Sequence, residues 1–448
     1  MEGITGVSMS DYSGFYPEEL AGLQAQSDLS KALDTGGYST SNAGGPLIGQ
    51  SLENTVHIVT FDIQRHIPLF KRIVKQPAFA TVEEYNRLLS YGEGGAFFND
   101  GGLPGEDDAT YERVSEKIKF MGCQGEVTGP MMLAGRAKYG DILAMQVYNR
   151  TAFLLKKIEE ALFNSNDVND SLAFRGIFQQ VAEGAPNNII DKRGNPLELS
   201  DIEDAATIIA DNYGFATLGI FGVQTKADLS KLLYPSTRFN SPGQAAAAGI
   251  PMNTYASANG DVELMSDIWL MPGGVPLTSA NKGAPNTPAA PVCTQVASIG
   301  SLLVQGTYYY KVSAVSSSGE SLAISGDAAV VINAADKGAQ LVITNVTDAK
   351  SYKIYRGATA TAVKYMDEIA TQVGATTTYV DDGSEIPGTA KSIIMDEQQL
   401  ALKQLLPVRK VDLARISDST RWMQIAYLTL VLYAPKRFVI FKNVGRAV

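Results

Sequence analysis

Residues 139–164 read YGDILAMQVYNRTAFLLKKIEEALFN, the longest regularly patterned stretch of the chain. Asp141 suits a helix N-cap, because its carboxylate can accept the unpaired amide hydrogens of a first turn. Leu143, Val147, Leu154, Ile158 and Ala161 then recur at helical spacing, widened into a stripe by Ala144, Tyr148, Leu155 and Leu162. Gln146, Asn149, Lys156, Lys157 and Glu160 take the opposite side, and the polar run from Asn164 to Asp167 ends the pattern. At 1.5 Å per residue, about 23 residues make a rod of roughly 35 Å. Such a helix owes its stability to packing of its apolar face, so the rest of the chain must supply a sheet or other helices.

The chain has 448 residues, 45% hydrophobic and 19% charged, with a formal net charge of −10. That length predicts two or three domains. The acidic balance argues against a dedicated nucleic-acid binder, which normally carries a basic face. Cys123 and Cys293 lie far apart, so no disulfide framework exists and a reducing compartment is expected. The amino end lacks a basic-then-apolar leader, and the apolar run Ile425 to Ala434 is too short to span a bilayer. The expectation is a soluble chain of cytoplasmic origin with no membrane partner.

Outward from the helix, the amino-terminal side is looser. Residues 1–56 are rich in Gly, Ser and Thr, with one helix-compatible stretch from Glu18 to Leu33. So few large apolar side chains cannot make a core, which leaves an extended arm or a disordered tail. Thr55 to Ile73 reads as a short helix with extended flanks. It holds both histidines, His57 and His66, whose spacing matches no familiar ligand set, so they read as structural. Residues 79–128 form two ordered stretches around a glycine-rich centre, Gly92 to Asp108. In the second stretch, Tyr111 to Val127, the residues Val114, Ile118 and Phe120 oppose Arg113, Lys117 and Lys119 as on a strand. The first stretch is ambiguous. Thr81 with Glu84 makes a capping box and Val82, Tyr85 and Leu89 have helical spacing, whereas a long hairpin needs a strand there. The glycines lack the Lys-Ser/Thr ending of a phosphate loop. Phe97, Phe98 and Leu103 sit in a loop that makes a poor core, so they either anchor on a partner surface or fold back onto the hairpin's own strands. On the first reading Glu106, Asp107 and Asp108 would meet cations such as Arg113 or Lys117 of another copy, and Lys119 is a further contact candidate.

On the carboxyl-terminal side, Ser200 with Glu203 makes a second capping box. Ile202, Ala205, Ala206 and Ile209 give that helix one face, and Gly214 stops it. A buried strand at Ala216 to Val223, a helix at Thr225 to Leu233, a loop at Phe239 to Gly249 and a strand at Val262 to Met271 complete a compact mixed domain. Composition then changes. Pro272 to Pro291 is a proline- and glycine-rich linker. From Val292 to Gly388, about seven short strands alternate with turns and carry no disulfide pair, the pattern of an immunoglobulin- or fibronectin-like sandwich. After it, Asp396 to Leu405 reads as helical, and Trp422 to Tyr433 and Arg437 to Asn443 as apolar strands. This return to mixed character implies that the sandwich is inserted into a host domain.

No catalytic constellation emerges. Only His57 and His66 are available to a triad, and neither a Gly-x-Ser-x-Gly elbow nor a His-Glu-x-x-His helix is present. Glu106, Asp107 and Asp108 lie in a polar loop and read as a solvated cluster. No enzyme activity, metal or cofactor is expected.

The order of parts resembles the major capsid proteins of tailed bacteriophages, the Hong Kong 97 type capsid fold that encapsulins share. It is most similar to the contractile-tailed subgroup with an immunoglobulin-like insertion late in the chain. The residues that carry the resemblance are Val82-Glu83-Glu84-Tyr85 through Tyr91-Gly92, Gly214-Phe215-Ala216-Thr217, Tyr352-Lys353-Ile354-Tyr355-Arg356 and the ending Ala434-Pro435-Lys436-Arg437-Phe438-Val439-Ile440-Phe441-Lys442-Asn443-Val444. The implied fold is α+β, with an N-terminal arm at 1–56 and a peripheral-domain start and extended loop at 57–138, its hairpin at 79–128. The spine helix and axial domain follow at 139–285, the immunoglobulin-like insertion at 286–395, and a return to axial and peripheral domains at 396–448. The resemblance turns residues 79–91 toward a strand. It implies an icosahedral shell built by self-assembly into hexamers and pentamers, with scaffolding, portal and decoration proteins as further partners. Packaged double-stranded DNA would be contacted only non-specifically. The chain would be made and assembled in the host bacterial cytoplasm and end in the virion. Some family members join a loop lysine to a neighbour's asparagine. Lys117, Lys119 and Asn443 are present, but nothing marks them for that chemistry. An encapsulin-like nanocompartment shell, or a carbohydrate-binding or adhesive protein using the sandwich, are the alternatives.

Overall fold

The computed structural model describes residues 67–92, 94–103, 105–139, 141–233, 252–270, 274–325, 329–415 and 417–447. The expectations for the arm over 1–56, the helix at Glu18 to Leu33, both histidines and the loop at Phe239 to Gly249 lie outside those residues.

The described chain starts with helix α1 (Pro68–Arg72) and strand β1 (Val74–Pro77), followed by β2 (Val82–Ser90), β3 (Thr110–Lys117) and β4 (Lys119–Thr128). Residues 82–90 are thus a strand, against the local helix signals, because pairing with β3 outweighs them. The single strand expected from Tyr111 to Val127 is two. At Ile118 the backbone leaves β2, its amide bonding Thr81 O at 2.9 Å, and β4 pairs instead with a distant strand. Phe120 consequently lies exposed, edge-on to Tyr427, while Val114, Glu116 and Ile118 turn inward.

Helices α2 (Gly129–Tyr139) and α3 (Ile142–Asn164) come next. α3 is the expected long helix, 23 residues, with Asp141 Oδ1 accepting the Ala144 amide at 3.2 Å. Leu154, Ile158, Leu162 and Phe163 are buried along it, and so is Glu159, which the periodicity did not single out. Then follow α4 (Ile177–Gly184), β5 (Ile189–Asp191), α5 (Leu199–Asp211), β6 (Leu218–Gly222), α6 (Val223–Leu233), β7 (Thr254–Ser257) and β8 (Gly260–Asp267). The capping box of α5 is Glu198 with Asp201, not Ser200 with Glu203. Its end is a Schellman turn in which Tyr213, at φ +59°, takes the left-handed position and the Gly214 amide bonds Ile209 O at 3.0 Å. Gly214 is required one step later: a Cβ there would come within 2.8 Å of Arg437 Cδ.

Nine strands build the sandwich: β9 (Val292–Ala297), β10 (Gly306–Ser316), β11 (Gly319–Glu320), β12 (Ile324–Ser325), β13 (Val330–Ile332), β14 (Lys337–Thr344), β15 (Ser351–Gly357), β16 (Lys364–Ala370) and β17 (Thr376–Asp381). β17-β14-β9 form one sheet and β11-β10-β15-β16, joined by β12 and β13, the other. Leu341 and Ile343 share a core with Val312, Tyr352 and Ile354 between them.

The chain returns through β18 (Ala390–Met395), β19 (Leu400–Asp412), β20 (Ser419–Leu432) and β21 (Phe438–Val444). Two expectations need correction. The insertion does not run to 395, since β18 is an interior strand of the six-stranded host sheet β5-β21-β18-β6-β8-β7. And 396–405 is not helical: a 3₁₀ turn at Glu397–Gln399 leads directly into β19. Leu400, Ala401 and Leu402 are all buried because β19 sits between β1 and β20 in the sheet β1-β19-β20-β4. A run buried on both faces loses the alternation that marks a strand.

The six-stranded sheet explains the long helix. Ile393, Met395, Phe438 and Ile440 point to one face and join Leu154, Ile158 and Leu162 of α3. Their neighbours Ile394, Val439 and Phe441 point to the other and join Ile202, Ala205 and Ile209 of α5. Period-two alternation thus feeds two cores from one sheet.

Candidate inter-subunit surface

The β2–β3 hairpin pairs Val82 with Lys117, Tyr85 with Val114 and Leu88 with Tyr111, and slips between Leu88 and Ser90 toward its tip. Alternation puts Glu83, Tyr85 and Arg87 on one face, which meets the ends of β19 and β20. Lys403 Nζ lies 2.8 Å from Glu83. Tyr85 sits edge-on to Tyr433 at 5.2 Å, and Arg87 Nη2 donates to Leu432 O at 2.7 Å and to the Tyr85 hydroxyl at 2.9 Å. From β3, Glu116 is 4% exposed and pairs with Arg175, whose Nε donates to Oε2 at 3.2 Å. Burial pushes the Glu116 carboxyl above its ordinary range even against that guanidinium. The base of the hairpin is therefore held by a polar seam.

The tip is different. Phe97 is 100% exposed, Leu103 91% and Phe98 59%. None of the three folds back to be covered by its own strands. Asp107 Oδ2 accepts the Gly94 amide at 2.6 Å and so shapes the loop. Gly92, at φ +104°, is suited to that turn: a Cβ would lie 2.9 Å from the same oxygen. Glu106 and Asp108 are exposed. Among the predicted basic partners, Lys117 is exposed. Arg113 lies 3.6 Å from Glu84 and donates to Asn86 at 3.3 Å. Lys119 is engaged within its own subunit, donating to Ser171 O at 2.5 Å. The structure thus gathers Phe97, Phe98, Leu103 and the three acids on one loop, and leaves the three cations at its base. Sequence reasoning missed the seam: the alternation of Glu83, Tyr85 and Arg87 was readable, but their partners lie more than 300 residues away.

Among the described residues no cluster of three or more His, Cys, Asp or Glu could hold a metal, and no helix is long and apolar enough to cross a membrane. Asn443, at φ +55° and buried, uses its whole carboxamide: Nδ2 donates to Asp191 Oδ1 and Ser384 O, both at 2.8 Å, and Oδ1 accepts the Ile386 amide at 2.9 Å.

A family model described as SU10 major capsid protein matches residues 104–286. The major capsid protein of Staphylococcus phage K is 24% identical over 451 residues, covering 94% of this chain and 96% of that one. The major capsid protein of Staphylococcus phage S25-3 is likewise 24% identical, over 450 residues and the same shares. Among solved structures, the Cyanophage A-1(L) capsid asymmetric unit aligns with 88% of this chain and 97% of that chain, with a TM-score of 0.51 and 10% identity, a likeness of fold.

Proposed function

The chain is a major capsid protein of a tailed bacteriophage, and we propose that its β2–β3 hairpin is the element by which copies interlock into the shell. The observation that carries this is the exposure of Phe97, Phe98 and Leu103 on a loop fixed at its base. Leaving three such side chains in water forgoes roughly 1.5–3 kcal/mol each relative to burial. A second copy is the surface that recovers it, with Glu106, Asp107 and Asp108 set against its cations. We read the fold as the Hong Kong 97 type and the β9–β17 sandwich as its immunoglobulin-like insertion. The assembly is read as hexamers and pentamers, with scaffolding, portal and decoration proteins as later partners. The role is structural, and assembly takes place in the host cytoplasm before the chain takes its place in the virion. Phage relatives across almost the whole length favour this over a cargo compartment, and the sandwich's position between two host strands disfavours an appended adhesin.

Changing Phe97 and Phe98 together to Ser tests the hairpin. Phe97 is fully exposed and Phe98 more than half exposed, so monomer stability should move by no more than about 0.5 kcal/mol. Particles, seen by electron microscopy and sedimentation, should fail to form. Normal particles, or a destabilised monomer, refute the role.

A further inference from the structure

Strand β17 stands at one edge of the sheet β17-β14-β9 and pairs with β14 alone. Its sequence from Thr376 to Val380, Thr-Thr-Thr-Tyr-Val, holds no charge, proline or glycine. The outer face of the sheet continues in the same way, through Thr344, Val342 and Gln340 of β14 to Val292 and Thr294 of β9. Thr376 and Val380 are exposed. An uncharged edge of β-branched residues is a template for a further strand, and natural edges normally carry a charge, a proline or a cover against that.

The other sheet shows such a cover. On its edge strand β16, the Tyr365 amide donates to Gly274 O at 2.9 Å, Tyr365 O accepts the Gly388 amide at 3.1 Å, and Asn169 Nδ2 of the host donates to Glu368 O at 3.1 Å. Lys364, Asp367 and Glu368 add charge to that strand. On β17 a side chain takes the place of the cover. Gln372, in the turn between β16 and β17, donates from Nε2 to Thr378 O at 3.0 Å and accepts the Thr378 amide on Oε1 at 3.1 Å. Both main-chain groups of Thr378 therefore face away from β14, and the carboxamide meets them as a partner strand would. The turn does not rest on that side chain: the Gln372 amide donates to Thr377 Oγ1 at 3.0 Å, and Gln372 O accepts Asn345 Nδ2 at 2.9 Å. Just beyond the strand, Asp382 O accepts the Leu302 amide at 2.7 Å, which closes that end of the edge.

We propose that the Gln372 carboxamide masks a strand-pairing surface, the free edge of β17, against the same edge of a second copy. The occupant is a second copy because the strand is self-complementary. Two identical uncharged edges related by a two-fold axis pair antiparallel, each supplying the amides and carbonyls that the other needs. With the carboxamide in place that pairing is blocked at its centre, Thr378, and the sandwiches of two copies stay apart. The mask belongs to the sandwich and does not depend on the hairpin reading.

Sedimentation velocity and hydrogen exchange of the full-length chain test it, with each variant compared with wild type at matched concentrations from about 1 to about 100 µM. Gln372→Ala and Gln372→Ser should sediment faster than wild type at the top of that range. In both, protection of the peptide from Thr376 to Asp381 should rise about fivefold with concentration, while in wild type it stays flat. Gln372→Glu still accepts the Thr378 amide but sets a charge on the edge, so it should behave as wild type. Adding Val380→Lys to Gln372→Ala should abolish the rise. No concentration dependence in Gln372→Ala and Gln372→Ser overturns the proposal. So does a rise of equal size in wild type or in Gln372→Glu, which would trace association to something other than the mask. A rise that survives Val380→Lys overturns it as well, because it would lie away from this edge.

Discussion

Arg175→Ala should destabilise the host body of the subunit by about 3 kcal/mol, and Glu116→Gln in the same chain should recover most of that loss. The Glu116 side chain is 5% exposed and the Arg175 side chain 26%. Removing one partner of a buried pair costs about 3–5 kcal/mol, and the partial exposure of Arg175 places this case at the low end. The second contact of Arg175, to the half-exposed Glu183 at 2.8 Å, adds under about 1 kcal/mol. Charge sign gives an independent check. The Glu116 carboxyl is already raised in the folded chain by burial, and without Arg175 it rises further. A raised folded value means stability that grows on acidification and is lost as pH rises through that value, so Arg175→Ala should lose its penalty toward acid pH. The assay is a urea melt of unassembled chain followed by tryptophan fluorescence. The only two tryptophans, Trp269 and Trp422, both lie in the host, so the sandwich is silent. Arg175→Ala within about 0.5 kcal/mol of wild type, or no recovery with Glu116→Gln, would refute the buried-pair reasoning.

Gly125→Ala should cost about 1–3 kcal/mol by overpacking, because the added Cβ would lie 2.4 Å from the Trp422 ring across the β4–β20 pair. An unchanged urea midpoint and emission maximum would show that the ring moves freely. Replacing residues 275–387 by a short Gly-Ser linker should leave a soluble host with a cooperative tryptophan-detected melt. Insoluble chain, or loss of cooperativity, would mean that the sandwich completes the host core.

What could be read in the sequence followed from local periodicity. The 3.6 repeat around Leu154 and Ile158, its Asp141 cap and the strands of the sandwich needed no distant partner to be recognised. Misreadings fell where a distant partner decides. Leu400 to Leu402 looked helical because burial between β1 and β20 erases alternation. Val82 to Ser90 carried helix signals that pairing with β3 overrode, and the break at Ile118 arises from a strand 300 residues away. Glu159 was passed over because a carboxylate next to Glu160 on a helix reads as a surface charge. Only the approach of the Leu69 and Phe70 amides makes its burial affordable. The exposed tip was legible for the opposite reason: Phe97 and Phe98 in a glycine-rich loop could not be buried by any neighbour in sequence.

The insertion and the hairpin bear on one question, how copies are held together. The sandwich enters and leaves its host at one point: the Tyr365 amide donates to Gly274 O at 2.9 Å, and the Gly388 amide donates to Tyr365 O at 3.1 Å. A module whose ends meet adds little loop-closure cost to the six-stranded sheet, so β8 and β18 keep their places on either side of β6. The leaving segment is then fixed by Lys442 to Glu385 at 3.1 Å and by Asn443, whose left-handed backbone an asparagine tolerates. That fixing occupies every hydrogen-bonding group of the Asn443 carboxamide. A lysine from another copy would have to break three hydrogen bonds in a buried site to reach it. Asn443 is thus a poor acceptor for such a link, and on the reading proposed above the exposed Phe97, Phe98 and Leu103 of the hairpin loop are the apolar surface that a second copy would bury.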